Sequence, residues 1–354
     1  MEHIIAQDSK IKYIPSFDSL RGLAALFVLL LHGSYGFFSG GFIGVDLFFV
    51  LSGYLITSIL YHEYRTTKGI SFSKFYIRRA IRLFPPLLIC IGLANLLWYF
   101  GLVKPVGNEI LATVASLFYF SNYISGAFLG NMAHLWSLSV EEHFYLFWPL
   151  LMLFFVFKAA DKKRMYFFIF ILILIALVRV LLFNHEVNSG AFMLHADRFT
   201  LTRMDGMILG ALLSFSSPVP IAEENKGWNG TLTLIGLGIT FLIILFSLSE
   251  TNRFFNNGGF ILTNILCAVT VYFAIRFADN SLFSNKILNW IGKRSYGLYV
   301  YHFPIFLWTE SFRVPHDSKN LLMITILRLI LSFAITAVSY SYIEKPILKF
   351  KSKF

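Results

Sequence analysis

The stretch "LRGLAALFVLLLH", residues 20–32, sets ten uncharged residues between Arg21 and His32. With its apolar flanks the run reads as a helix spanning a membrane near 18–37, since crossing the hydrocarbon core takes roughly 20 residues. Ionisable groups inside such a span are costly and tend to face a cavity. Arg21 and His32 are eleven residues apart, and eleven steps of about 100° make three turns plus roughly 20°. They therefore share one helical face, with a rise of about 16 Å between them. Arg21 is expected near the cytoplasmic end of the span and His32 in its outer half, so that one stripe joins the two sides of the membrane.

The rest of the chain supports a membrane setting. Its 354 residues are 57% hydrophobic and 14% charged, with mean hydropathy +0.68, beyond what a water-soluble domain of this length shows. The 40 Phe suit lipid-facing and interfacial surfaces. Backbone groups in hydrocarbon must be satisfied internally, so helices are expected, whereas a β-barrel would show short alternating segments. The sequence predicts an all-α integral membrane protein with about ten transmembrane helices, near 18–37, 43–61, 80–100, 138–157, 165–183, 200–215, 230–248, 259–278, 288–308 and 321–342. The segment 108–130 contains "LATVASLFYFSNYISGAF", apolar but broken by Ser, Asn and Gly. It is read as re-entrant or surface-packed. The whole chain, 1–354, is read as a single membrane-embedded domain with short cytoplasmic tails, 1–15 and 344–354.

Charge placement orients this arrangement through the positive-inside rule. With the N-terminus cytoplasmic, the inner connections carry Arg65, Lys68, Lys74, Arg78, Arg79, Lys158, Lys162, Lys163, Arg164, Lys226, Lys286, Lys345, Lys349, Lys351 and Lys353. The outer ones carry Lys104, Arg198, Arg253, Arg313 and Lys319. Both termini are thus expected inside. The net charge of +11 needs no nucleic-acid partner, because loops facing anionic lipid carry it. No cleavable signal peptide is expected. Cys90 and Cys267 fall within predicted spans and read as buried thiols, without metal-ligand spacing.

Several polar groups recur inside or at the mouths of these spans. In "FYIRRAIRLFPP", 75–86, Arg79 and Arg82 are spaced i, i+3 and share a face. Arginine forks suit phosphate, though a juxtamembrane basic cluster also serves as a topology signal. In "HLWSLSVEEHFYLFWP", 134–149, Glu141 and Glu142 point about 100° apart and are expected at the depth of His32. There a carboxylate would fix the imidazole for general-base work, and the competing reading is an interfacial aromatic belt with solvated acids. In "RFTLTRMDGMILGAL", 198–212, Arg203 and Asp205 face different ways and are not expected to pair with each other. In "RSYGLYVYHFP", 294–304, Ser295, Tyr299 and His302 form a polar stripe, for which interhelical hydrogen bonding is the plainer account of Ser295 and Tyr299. "GGFIGVDLFFVLSGYLI", 40–56, adds Asp46, Ser52 and Gly53, the glycines permitting close helix packing.

Taken in order, "SFDSLRGLAALFVLLLH", "GVDLFFVLSGYLI", "RRAIRLFPP", "WSLSVEEHFYLFWP", "RSYGLYVYHFP" and "YIEKP" at 342–346 resemble the membrane acyltransferase-3 family, bacterial O-acyltransferases of lipopolysaccharide O-antigen and other envelope glycans. The resemblance covers nearly the whole chain and is to the stand-alone type, without a C-terminal hydrolase-like domain. It implies acetyl-CoA or another acyl-CoA as donor, a glycan or glycolipid hydroxyl as acceptor, no metal, and a place in the bacterial inner membrane. It further implies that Arg21, Arg79 and Arg82 bind the CoA phosphates, that His32 is the general base, and that Glu141 or Glu142 orients its imidazole. Ser137 or nearby backbone would stabilise the oxyanion, with Arg203, Asp205, Tyr299 and His302 as further site candidates. Direct transfer in a ternary complex is the expected mechanism, with an acyl-His32 intermediate as the alternative.

A transporter or flippase would also bury charges around a polar cavity. The absence of an internal repeat, and the separation of basic groups from the His/Glu pair, favour a reaction between two compartments. A sensor or scaffold derived from such an enzyme would not need every motif residue, and all are present.

Overall fold

In the computed structural model the residues described are 13–104, 107–184, 187–189, 192–216, 228–249, 254–277, 285–312 and 318–350. Lys226, Arg253, Arg313, Lys351 and Lys353, and most of the expected N-terminal tail, lie outside them. The chain is a helical bundle. In order it forms α1 Pro15–Gly33, α2 Ile43–Thr67, α3 Phe72–Tyr99, α4 Glu109–Leu117, α5 Gly126–Leu129, α6 Trp136–Leu151, α7 Asp161–Asn184, α8 Thr200–Arg203, α9 Asp205–Ser216, α10 Trp228–Ser247, α11 Phe260–Arg276, α12 Lys286–Gly292, α13 Ser295–Glu310, α14 Ser318–Ser339 and α15 Lys345–Leu348. Among the described residues six helical stretches are long and apolar enough to cross a membrane: Pro15–Gly33, Ser39–Thr67, Phe72–Tyr99, Gly126–Val156, Asp161–Phe183 and Lys319–Leu348. This is a multi-pass membrane protein.

Local chemistry explains the helix starts. Pro15 occupies the first turn of α1, where a missing N–H costs nothing. Asn108 caps α4 by accepting from the Leu111 N–H at 2.9 Å, and Asn285 caps α12 by accepting from Ile287 and Leu288 at 2.9 and 3.1 Å. The segment 108–130 folds into α4, α5 and 3-10 turns. A nine-residue helix such as α4 rises only about 14 Å, too little to cross.

The structure differs from the sequence reading in four places. The run 200–215 is not one helix: α8 ends at Arg203 and α9 starts at Asp205, so the break aims the two charges apart. The run 288–308 is likewise split at Lys293–Arg294 into α12 and α13. Residue 344 does not begin a tail, because α14 continues through a π-turn, Tyr340–Glu344, into α15. Glu344 is buried there, accepting from the Ser339 hydroxyl at 3.2 Å. Finally, a short antiparallel hairpin joins the helices, pairing Val187 with Leu194 and Ser189 with Phe192.

The tightest seam is between α2 and α9. A Cβ at Gly53 would lie 1.9 Å from the Met207 carbonyl oxygen, and one at Gly210 would lie 2.0 Å from the Val50 carbonyl oxygen. Each glycine therefore lets the other helix's backbone approach, the small-residue packing that holds helices together where lipid removes the hydrophobic incentive. Gly210→Val should destabilise the protein by about 3 kcal/mol or more, seen as a loss of monodisperse protein or a lowered melting temperature in detergent. A silent Gly210→Val would show that the seam is not closed as described.

Candidate active site

Three imidazoles meet at one end of the bundle. His32, on the last turn of α1, places Nδ1 3.0 Å from Nε2 of His302 on α13, with the rings stacked at 5.1 Å. His302 Nδ1 lies 2.5 Å from the Tyr299 carbonyl oxygen. A carbonyl only accepts, so in the neutral pair His302 carries its proton on Nδ1 and offers Nε2 as acceptor. His32 then donates from Nδ1, which leaves its Nε2 lone pair as the free base. His134 completes the group, its ring 5.2 Å from that of His302 and its Nε2 2.9 Å from the Val300 carbonyl oxygen. By the same reasoning its Nδ1 holds a lone pair, which is buried and has no hydrogen-bond partner. Phe303 packs against His32 edge-on and against His134 face-on.

The glutamates stand elsewhere. The residue of the 134–149 stretch at the depth of His32 is His134, and Glu141 lies seven positions further along, about 10 Å deeper by helical rise. The turns between α4 and α6 occupy the depth that the sequence reading assigned to the start of a span. Glu141 accepts hydrogen bonds from the Ser52 and Tyr145 hydroxyls, and it lies within electrostatic reach of Arg21 and Arg79. The expected pairing of Glu141 or Glu142 with His32 is thus replaced by His302. The Arg79 guanidinium sits over the Tyr145 ring at 5.1 Å and the Phe75 ring at 5.7 Å, and Arg21 feels the charge of Arg82. Arg82 thus lies within electrostatic reach of both Arg21 and Arg79.

Between the two ends Ser137 and Tyr299 share a hydrogen bond, and the Tyr299 hydroxyl donates to the His134 carbonyl oxygen at 2.9 Å. With its own proton given to His134, Tyr299 must accept from Ser137. The single Ser137 proton is thereby used within the protein, which removes the serine as an oxyanion donor. Ser295 is buried at the start of α13, one turn from Tyr299.

Beside Arg79 a cavity of about 190 Å³ runs between α3 and α6, lined by Tyr76, Arg79, Leu83, Phe84, Tyr119, Glu142, Tyr145 and Leu146, with Ala80. Tyr119 lies in the turn after α4, outside the crossing helices. Burial, and then the charges of Glu142 and Glu141, push its hydroxyl well above the ordinary tyrosine range, so it stays protonated and able to donate.

Arg203 and Asp205 do not pair with each other. Arg203 binds Asp46 at 2.7 Å, Arg179 binds Asp205 at 2.7 Å, and all four side chains are buried. Thr263 adds a hydroxyl to Asp46 at 3.3 Å, and the Phe260 ring lies 4.0 Å from the Arg203 guanidinium. Sequence reasoning missed Arg179 and also Arg328. Arg328 is buried on α14 and donates to Thr309 at 2.8 Å and to the Gly33 and Phe306 carbonyls, each at 3.4 Å, while pairing with Glu310 at 3.1 Å. It ties the ends of α1 and α13 together one residue past His32. The signal was available in both cases, a lone arginine inside an apolar run, which is the test that singled out Arg21.

The family model of the acyltransferase domain matches residues 14–343. The chain belongs to the acyltransferase-3 family. It is 34% identical over 360 residues to the O-acetyltransferase OatA of Staphylococcus aureus strain NCTC 8325 / PS 47, and equally to OatA of strain COL, covering 96% of this chain and 58% of each relative. The chain thus spans rather more than half the length of these curated relatives. No solved structure matches it. The membership makes the chain an acyltransferase-family enzyme, and the three-histidine end and the arginine end are its two candidate centres.

Removing one member of a buried ion pair leaves the other uncompensated, at a cost of roughly 3–5 kcal/mol. Arg203→Met should therefore unfold at lower temperature than wild type, and the double variant Arg203→Met, Asp46→Leu should recover most of the loss. A double variant as unstable as the sum of both singles would refute the pairing.

Proposed function

We propose that this protein is an O-acetyltransferase that moves an acetyl group from cytoplasmic acetyl-CoA to a sugar hydroxyl of an envelope polysaccharide or glycolipid, O-antigen among the candidates, at the outer face of the bacterial inner membrane. The reading takes about ten crossings with both termini inside. The observation that carries it is the separation of labour along one stripe of α1: the arginine cluster around Arg21 at one end, and the free Nε2 of His32 about 16 Å away at the other. The O-acetyltransferase activity for which the OatA relatives are named agrees with it.

The proposed chemistry balances without any other group. His32 Nε2 takes the proton of the acceptor hydroxyl as the oxygen forms its bond to the thioester carbonyl carbon. The C–S bond then breaks, and the departing thiolate takes that proton from His32. His302 holds the imidazole in the tautomer that leaves Nε2 bare, the orienting part that the resemblance assigned to a carboxylate. Arg21, Arg79 and Arg82 hold the donor phosphates, with Glu141 balancing their charge.

The direct test uses protein in lipid nanodiscs with labelled acetyl-CoA and a panel of glycans. Wild type should transfer acetyl to at least one glycan, His32→Ala should bind donor but not transfer, and Arg79→Ala should bind donor more weakly. Wild type that is folded but binds no acetyl-CoA would sink the proposal.

His302→Ala should lower kcat by about 100-fold or more with donor KM unchanged, and His302→Gln, whose carbonyl can accept from His32 Nδ1, should recover part of it. Ser137→Ala should stay within about fivefold of wild type, whereas loss of a true oxyanion donor costs roughly 100- to 1000-fold. A Ser137→Ala defect of that size would restore the serine to the oxyanion site.

A further inference from the structure

The turn that ends α4 contains a residue that its own geometry disfavours. Phe120 N–H donates to the Ala115 carbonyl at 2.9 Å and Tyr119 N–H to the Ser116 carbonyl at 3.4 Å, the bond pattern in which a helix usually closes on glycine. Here the left-handed position is filled by Tyr119, at φ +57°. A large L side chain pays a steric penalty in that region, and such outliers gather where a structure holds a group for use. The Tyr119 hydroxyl is buried and has no hydrogen-bond partner. Its side chain lines the cavity between α3 and α6 together with Arg79 and Glu142.

The walls of that cavity describe what fits. Tyr119 and Arg79 donate, Glu142 accepts when ionised, and Leu83, Phe84 and Leu146 are apolar. On α3 the lining runs from Tyr76 past Arg79 to Phe84, about 12 Å along the helix. A phosphate would meet an ionised Glu142 unfavourably, whereas an aliphatic arm carrying amides presents N–H to a Glu142 oxygen, which accepts in either protonation state, and C=O to the phenol.

The geometry points to Tyr119 as a donor-contacting residue whose hydroxyl binds an amide carbonyl of the thioester's pantetheine arm, threaded between α3 and α6 beyond Arg79. This rests on the acetyl-CoA reading above and adds to it the seat of the arm and the reason for the strained tyrosine. The strain is retained because glycine would offer neither ring nor hydroxyl.

Binding is measured on the full chain in nanodiscs with acetyl-CoA, S-acetyl-pantetheine and adenosine 3′,5′-bisphosphate as probes. Tyr119→Phe, which keeps the ring and the turn, should weaken acetyl-CoA and S-acetyl-pantetheine about five- to tenfold, as loss of one hydrogen bond does, and leave the bisphosphate unchanged. Tyr119→Gly, freed of the backbone strain, should melt no lower than wild type yet bind both arm-bearing probes more weakly still. If Tyr119→Phe binds acetyl-CoA like wild type while Arg79→Ala does not, the inference fails and the acetyl-CoA reading stands. Weakened bisphosphate binding in Tyr119→Phe would overturn it in favour of a nucleotide in the cavity. Wild type that binds none of the three would overturn both.

Discussion

A charge inside hydrocarbon must find its partners within the protein, and the bundle is organised around that requirement. Arg203, Arg179, Asp46 and Asp205 are buried in two ion pairs that draw α2, α7, α8 and α9 together. Arg328 is satisfied by Thr309, Glu310 and the carbonyls that end α1 and α13. Neither set touches the imidazoles, yet both decide where the helices bearing them stand. The glycine seam holds α9 against α2 and so keeps Arg203, at the end of α8 just before α9, within reach of Asp46.

The site is assembled from distant parts of the chain by short-range contacts. His32 meets a partner 270 positions later, and Ser52 meets Glu141 across 89. Two sets of polar groups result, one rich in lone pairs and one rich in guanidinium. Hydroxyls are tied to each set: Ser137 and Tyr299 to the His134 carbonyl, and Ser52 and Tyr145 to the Glu141 carboxylate.

Much of this was legible before any coordinates. The apolar runs gave the long helices, and the eleven-residue spacing put Arg21 and His32 on one face. The i, i+2 spacing of Arg203 and Asp205 correctly separated them, since a helix break at Met204 sends each to a different partner. Depth was harder to read. Periodicity fixes direction around a helix, but says nothing of how far into the layer a helix begins, so the α4 to α6 turns moved the glutamates away from His32 unannounced. The His32–His302 contact was equally hidden, because both residues are visible in sequence and their meeting is a property of the packing.

The clamp at Arg328 bears on the order in which the protein is made. All three histidines are encoded by residue 302, but the guanidinium that joins the ends of α1 and α13 belongs to α14, which follows them in the chain. A nascent chain therefore holds its imidazoles in the membrane before it holds them in register. The base comes into register only after α14 has followed α13 into the bundle and docked.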